Sequence, residues 1–341
     1  MNMKRFICVI TVLLLALTVV TTPAATKSAT VYKLKWNGYF AANSVNAKLQ
    51  ERFFMDRVAE LSEGRIQWQY FPSKQLGKDQ LTIIGGGTAQ AGYMVPPLYN
   101  GKIPILGAVD MPFLYKNTDF AGHIRTVSAI LHHQEIVNAL AKHNLKVLLG
   151  SSTGTFCIWL KKPVKVMANF KGLKIRGAGK MQSATFTALG ASAQSLHSSE
   201  VYLALSTGVI EGSGWSATSA WDNKIYEVTK YGVIPPGSVG GNSALLVMNM
   251  DTYNKLPKDL QDVLAQAGAE AEKYIEETAV KNNEKMLANL AAKGMEIYTV
   301  PRDEIERWRT ATQSVYDKWL KANGTAGQRV LDFALRKLGE K

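Results

Sequence analysis

The sequence predicts an α/β fold, and three observations carry that prediction. Short segments such as 31–36 and 65–70 alternate apolar and polar residues with the period of a strand. Between such segments lie stretches with apolar residues at helical spacing, opened by capping side chains and closed by glycine. The alternation of strand and helix holds in both halves of the chain, which argues for layered helices over largely parallel sheets.

Taken in order, residues 31–36 read as the first strand. Asn43 or Ser44 can cap a helix reaching about Ser62, with Val45, Leu49, Phe53, Val58 and Leu61 near one face and Gly64 ending it. A strand follows at 65–70, a short helix at 79–85, and a buried strand at 91–95 that Pro96-Pro97 stops. Asn117 or Thr118 opens a helix towards His143, and 145–150 is an apolar strand. In the second half, 173–176, 192–196 and 209–211 are strands; 182–189 and 199–207 are helices stopped by Gly190 and Gly208, where a left-handed residue is wanted. Residues 244–249 form a strand, 257–292 one long helix ended by Gly294, and 302–338 one or two helices broken near Asn323-Gly324. There is no internal repeat and no flexible linker, so two lobes would have to be joined by more than one crossing of the chain.

The N-terminus sets the compartment. Lys4 and Arg5 precede an apolar run at 6–20 and a small-residue stretch at 21–25, the layout of a cleaved secretory signal. A membrane anchor would need a run of about 20 apolar residues. Cleavage after Ala24 or Ala25 removes Cys8 and leaves one cysteine, Cys157, hence no intramolecular disulfide. The mature chain of about 315 residues is long enough for two domains and carries no later run that would span a membrane, so the exported protein is expected to be soluble. The formal charge of +13 is spread over scattered lysines and arginines. No basic stripe interleaved with aromatics marks a nucleic-acid surface, and a solvated basic exterior is the reading.

Motifs for catalysis are weak. Gly150-Ser151-Ser152-Thr153-Gly154 matches the hydrolase pattern G-x-S-x-G, but the apolar run 156–160 that follows reads as a strand where the motif needs a helix. An exported serine hydrolase using Ser152 remains the distant alternative. The glycines at 85–87 do not space as a dinucleotide loop, and no histidine stands in a metal-binding pattern. No cofactor, metal or enzymatic activity is expected.

Arg176 is the residue with the most to say. Leu173 and Ile175 should face a core, which puts Arg176 on the other side at the carboxyl end of a strand, where open α/β sheets bind ligands. Gly177 and Gly179 let backbone approach a ligand, and a helix N-terminus follows. A guanidinium there can grip a carboxylate through two parallel hydrogen bonds. A surface arginine in a loop ion pair fits the local sequence equally well.

Several ordered segments bear on that choice: Phe71-Pro72-Ser73-Lys74-Gln75-Leu76-Gly77, Asp110-Met111-Pro112-Phe113-Leu114, Gly172-Leu173-Lys174-Ile175-Arg176, Ala188-Leu189-Gly190-Ala191, Ser199-Glu200-Val201-Tyr202-Leu203-Ala204-Leu205 and Tyr226-Glu227-Val228. With them, residues 30–294 resemble the extracytoplasmic solute receptor of tripartite ATP-independent periplasmic (TRAP) transporters, the DctP family. The resemblance implies a two-lobed α/β periplasmic-binding-protein fold with mixed sheets, a chain that crosses between lobes more than once, and a long bridging helix near 257–292. Residues 26–152 with 242–270 would form one lobe and 153–241 with 271–341 the other. It also implies a receptor that closes on one small organic acid and delivers it to a small four-helix and a large permease subunit in the membrane. Arg176 takes the place of the family's carboxylate-binding arginine.

Departures from the family pattern bear on the ligand. Phe156 stands where members that take strongly polar acids often carry a second arginine, with Trp159 close by. Gly179 replaces a common polar residue, His197-Ser198 replaces a pocket phenylalanine, and Trp215 replaces an asparagine. Trp36, Tyr39 and Pro96 are further lining candidates. One arginine beside Trp and Phe suits one carboxylate on an apolar body, such as an aryl 2-oxo or 2-amino acid, because a second buried carboxylate would lack a partner. A C4-dicarboxylate is the alternative.

Overall fold

A computed structural model of the chain describes residues 30–115, 119–154, 156–240 and 243–340. The expected signal at 1–25 and the expected caps Asn117 and Thr118 lie outside them. In chain order the elements are β1 (Tyr32–Asn37), α1 (Phe53–Leu61), β2 (Ile66–Phe71), α2 (Gln80–Gly85), β3 (Ala91–Met94), α3 (Phe120–Leu131), α4 (Gln134–Ala141) and β4 (Leu145–Ser152). Then come β5 (Phe156–Leu160), β6 (Lys174–Gly177), α5 (Lys180–Ala188), β7 (Ser192–Ser195), α6 (Val201–Ser206), β8 (Gly212–Ser216), α7 (Ala217–Asp222) and β9 (Tyr231–Ile234). The last elements are β10 (Ser243–Asn249), α8 (Met250–Lys255), α9 (Lys258–Ala292), β11 (Glu296–Thr299) and α10 (Arg302–Lys337).

Two sheets organise these elements, one of five strands in the order β2-β1-β3-β10-β4 and one of six in the order β11-β9-β5-β8-β6-β7. Each is parallel except for one strand, β10 in the first and β5 in the second. The exceptions have a common cause. The chain leaves the carboxyl end of β4 and enters the second sheet at once as β5; it leaves the carboxyl end of β9 and returns to the first as β10. A strand entered from the end where its neighbours finish must run against them. The sheets are therefore mixed rather than largely parallel, as the family resemblance implies, and the chain passes between them more than once.

Side-chain chemistry explains where the elements begin and end. Ser44 Oγ accepts the Ala47 N–H (3.1 Å) and opens a π-wound stretch, Ala47–Arg52, that runs into α1. The helix expected from 117 to 143 is two helices, because Asp119 caps α3 through Gly122 N–H (2.7 Å) and His133 Nδ1 accepts Glu135 N–H (3.3 Å) to start α4. The strand expected at 209–211 lies one step later, as β8. Its sequence, Gly-Ser-Gly-Trp-Ser, shows no apolar alternation, yet the strand needs its glycine: a Cβ on Gly214 would sit 2.1 Å from Phe156 Cζ.

Helix α9 joins the two sheets. Leu260, Leu264 and Ile275 bury in the core over the first sheet, and Met286 and Leu290 in a core over the second. Its approach to β4 is close, since a Cβ on Gly268 would lie 2.3 Å from the Leu148 carbonyl oxygen. Helix α10 kinks at Gly324 (φ 53°). Ile305 and Trp308 pack in the second sheet's core, whereas Trp319, Val330 and Ala334 pack among residues of β4, α3 and α4. Ala271 and Ile275 and the far half of α10 thus bury in the cores over the first sheet.

Candidate functional site

Arg176 sits on β6 with 1 % of its surface exposed, paired in register with Ser213 of β8. Its Nε donates to the Leu196 carbonyl (3.2 Å) and one terminal nitrogen to the Gly214 carbonyl (3.4 Å). Trp215, two residues along β8 on the same face, places its ring 5.6 Å from the guanidinium carbon. Among the described residues, no carboxylate pairs with this guanidinium. Burial pushes its pKa down to about 10, so it remains charged at neutral pH.

The arginine opens onto a cavity of about 40 Å³. Tyr39, Phe40, Tyr93 and Trp215 wall it with rings, Val95, Leu98 and Ala178 add apolar surface, and Thr153, Ser219 and Ser243 contribute hydroxyls. Among the described residues, Tyr93 Oη and Ser243 Oγ are buried without a hydrogen-bond partner, which is costly for a buried polar group unless something else supplies one. Thus the walls offer one cation, two unused hydroxyls and four aromatic faces.

Both sheets build this site. Tyr39 and Phe40 follow β1, and their amides donate to Glu51 Oε1 (3.1 and 3.3 Å) while Trp36 Nε1 donates to Glu51 Oε2 (2.8 Å). Across the cleft, Tyr39 Oη meets Ser198 Oγ at 3.0 Å, and Asp222 accepts the amides of Val45 (3.2 Å) and Asn46 (3.3 Å). At the helix after Arg176, Lys180 N–H donates to Asn100 Oδ1 (3.0 Å), and Gly179 (φ +87°) lies so close to the Pro97 carbonyl that a Cβ would approach it to 1.7 Å.

Comparison with known proteins identifies the scaffold. Residues 38–323 match the DctP family of bacterial extracellular solute-binding proteins, family 7. The chain belongs to that family. It is 26 % identical over 279 residues to the 2,3-diketo-L-gulonate-binding periplasmic protein YiaO of Escherichia coli, covering 81 % of this chain and 83 % of that one. Its fold matches DctP7, a Bordetella pertussis extracytoplasmic solute receptor binding pyroglutamic acid (TM-score 0.82, 22 % identity, 90 % and 100 % coverage). It also matches a TRAP solute-binding protein of Rhodoferax ferrireducens with copurified benzoate (TM-score 0.81, 22 % identity, 91 % and 98 % coverage). The chain is thus a TRAP solute receptor for organic acids, a transport protein rather than an enzyme. DctP proteins are periplasmic and work with membrane permease subunits. Among the described residues no helix is long and apolar enough to cross a membrane.

Within this DctP receptor the expected site residues separate into two groups. Arg176, Trp215 and Tyr39 meet at one cavity, and Ser198 lines the adjoining one. Trp36 and Trp159 do not line it. Each is fully buried, Trp36 packed on Phe54 and Trp68, and Trp159 donating its Nε1 to the Trp215 carbonyl (3.0 Å). Phe156 shares a strand face with Gly214 and Ser216, opposite to that of Arg176 and Trp215, and borders a separate cavity with Tyr115 and His123. Gly179 faces Pro97 and Asn100, and Pro96 is buried while its neighbours Val95 and Leu98 reach the cavity. Ser152 is buried at the end of β4 and is followed by a strand, so the turn that would present a nucleophile is not formed.

Phe40, Tyr93, Val95, Leu98, Thr153, Ala178, Ser219 and Ser243 are lining residues that sequence reasoning missed. Tyr93 lies inside a segment read as a buried strand and Ser243 just before another, where the sequence does not show which side chain stands at a cleft. The N-cap role of Ser216 on α7, through Ser219 N–H (3.1 Å), was the one local signal that could have placed Ser219.

Proposed function

We propose that this receptor captures a carboxylate with an aromatic or otherwise apolar body, such as an aryl 2-oxo or 2-amino acid. The single observation that carries the reading is Arg176, a buried guanidinium without a carboxylate partner among the described residues, facing a cavity walled by Tyr39, Phe40, Tyr93 and Trp215. One carboxylate would neutralise the buried charge, which favours a charge-assisted pair over a solvated one. The ring-rich walls favour an apolar body, and Tyr93 Oη and Ser243 Oγ would gain the partners they lack. The benzoate named for one similar fold is an acid of this kind; the pyroglutamic acid named for another is a compact monocarboxylate with a polar lactam ring.

Binding would proceed by closure. The acid first meets Arg176 on one lobe, then draws in Tyr39 and Phe40 of the other, shifting the open–closed equilibrium. The lobes would be 26–152 with 242–270, and 153–241 with 271–341, with parts of α9 and α10 also packing on the first. Residues 1–25 would export the chain to the periplasm, where the closed receptor delivers its acid to a small four-helix and a large permease subunit.

The test is a thermal-shift screen of phenyl and indole monocarboxylates against succinate, malate and fumarate. Ligand binding to the folded state stabilises it by RT ln(1 + [L]/Kd), so a true ligand gives a shift that keeps growing with its concentration. The expected result is stabilisation by aryl acids. Stabilisation by C4-dicarboxylates alone would leave the carboxylate seat intact and remove the apolar-body reading.

A further inference from the structure

The cavity at Arg176 adjoins a larger one of about 250 Å³, and Tyr39, Phe40, Trp215 and Ser219 line both. Beyond this shared wall stands Lys74. Its backbone is held firmly: Ser73 and Lys74 take the left-handed conformation in succession (φ 54° and 61°), Ser73 N–H donates to the Phe40 carbonyl (2.8 Å) and Lys74 N–H to that of Gly38 (2.7 Å). The turn after β2 is thereby tied to the same loop that presents Tyr39. The lysine side chain is half-buried, with Nζ 4.1 Å from the Tyr39 ring centroid and 3.5 Å from Ser198 Oγ.

Among the described residues no carboxylate forms an ion pair with Lys74. The acid that lines its cavity, Asp222, is engaged by the Val45 and Asn46 amides. An ammonium has three donors, and Ser198 takes one. Burial, with Lys78 nearby, lowers the Lys74 pKa to about 8, as expected of a cation short of water and counter-ion. The site therefore holds two cations without carboxylate partners, Arg176 on one side of an aromatic wall and Lys74 on the other.

We propose that Lys74 is a second, distal anchor, and that the ligand is a carboxylate whose apolar body carries a hydrogen-bond acceptor, a hydroxyl, oxo or second carboxylate group, at the end remote from Arg176. This rests on the reading of Arg176 as the carboxylate seat. Ser73, Ser198, Ser199 and Asn223 line the cavity around Lys74 and suit a polar group better than an alkyl or aryl tip. A single arginine fixes one end of an acid; a second donor beyond the rings selects its length and its far substituent.

The test is calorimetric titration at pH 7 with acids matched in body and differing only at the far end: benzoate against 4-hydroxybenzoate and terephthalate, phenylacetate against 4-hydroxyphenylacetate, pentanoate against glutarate. In the wild-type protein the acceptor-bearing member of at least one pair binds about tenfold tighter or more. Lys74→Met brings that ratio below about threefold, and Lys74→Arg keeps it. The ratio is taken within each protein, so partial loss of folded material does not imitate the effect. Raising the pH through about 8 shrinks the wild-type ratio as Lys74 loses its proton. It leaves that of Lys74→Arg in place, which separates Lys74 from the other groups facing it, Lys78, Tyr39, His197 and Asp222. Equal binding within every pair, or a ratio that survives Lys74→Met, overturns the proposal while the carboxylate seat stands. Failure of every acid to bind overturns the seat as well.

Discussion

At position 176 a guanidinium is held out of water by a strand, a glycine loop and an indole, and it donates to the carbonyls of Leu196 and Gly214. Carbonyls orient such a group without neutralising it, so the charge stays available to a ligand. Trp215 stands over the cation and forms a wall of both cavities, which makes it the residue that discriminates among bodies attached to a carboxylate. Trp215→Ala should weaken aryl acids by more than the buried area predicts, by a further ~0.5–1.5 kcal/mol, while small aliphatic acids lose less. Titration of one aryl and one aliphatic acid into both proteins checks this, and equal losses would contradict it. Arg176 was legible in the sequence because strand parity and a glycine loop mark a cleft end, and Trp215 because it stands where the family resemblance implies an asparagine. Phe156 and Trp36 were not, because a one-residue step in parity sends a ring to the opposite face, and the sequence alone does not say which face meets the cleft.

The loop after β1 shows how an element holds a site together. Glu51, fully buried on the π-wound stretch before α1, receives the amides of Tyr39 and Phe40 and the indole of Trp36, and so fixes the rings that face Arg176. Burial raises its carboxyl to about 7, with these hydrogen bonds opposing. A carboxyl raised on folding binds more protons in the folded state, so its stabilising share is present below its unfolded value and is lost as the pH rises through about 7. His123, lowered to about 4 by burial, pulls the other way in the same window. The comparison of wild type with Glu51→Gln isolates the effect. Urea midpoints at pH 5 and pH 8 should show a larger fall with rising pH in the wild-type protein than in the variant, and an identical change in both would exclude Glu51 as the titrating group. The helix carrying Glu51 was legible from its apolar spacing. The bond to the Tyr39–Phe40 loop was not, since its partners are backbone amides with no signature in the sequence.

At the scale of the whole molecule, the two sheets meet through specific contacts: Tyr39 with Ser198, Asp222 with the Val45 and Asn46 amides, and Gly179 against Pro97. These are the contacts that closure on an acid would make. Gly179→Ala puts a methyl into the Pro97 carbonyl at a backbone angle that favours glycine. It should weaken acid binding, and small-angle scattering should show a smaller ligand-induced compaction than in the wild-type protein. Full compaction in the variant would remove Gly179 from the closing surface. The two-lobed plan and the bridging helix were legible through ordered motifs and a 35-residue periodic run. The return of α10 to the first sheet was hidden, because apolar spacing does not say which core each turn meets: Val315 and Trp319 pack in the first core before the kink at Gly324 is reached. The most direct measurement is a calorimetric titration of the acid that gives the largest thermal shift into wild-type protein and Arg176→Ala. Loss of a buried, hydrogen-bonded charge partner should cost about 2–5 kcal/mol, which is about 30-fold or more in affinity. A loss below about threefold would contradict the claim that Arg176 holds the carboxylate.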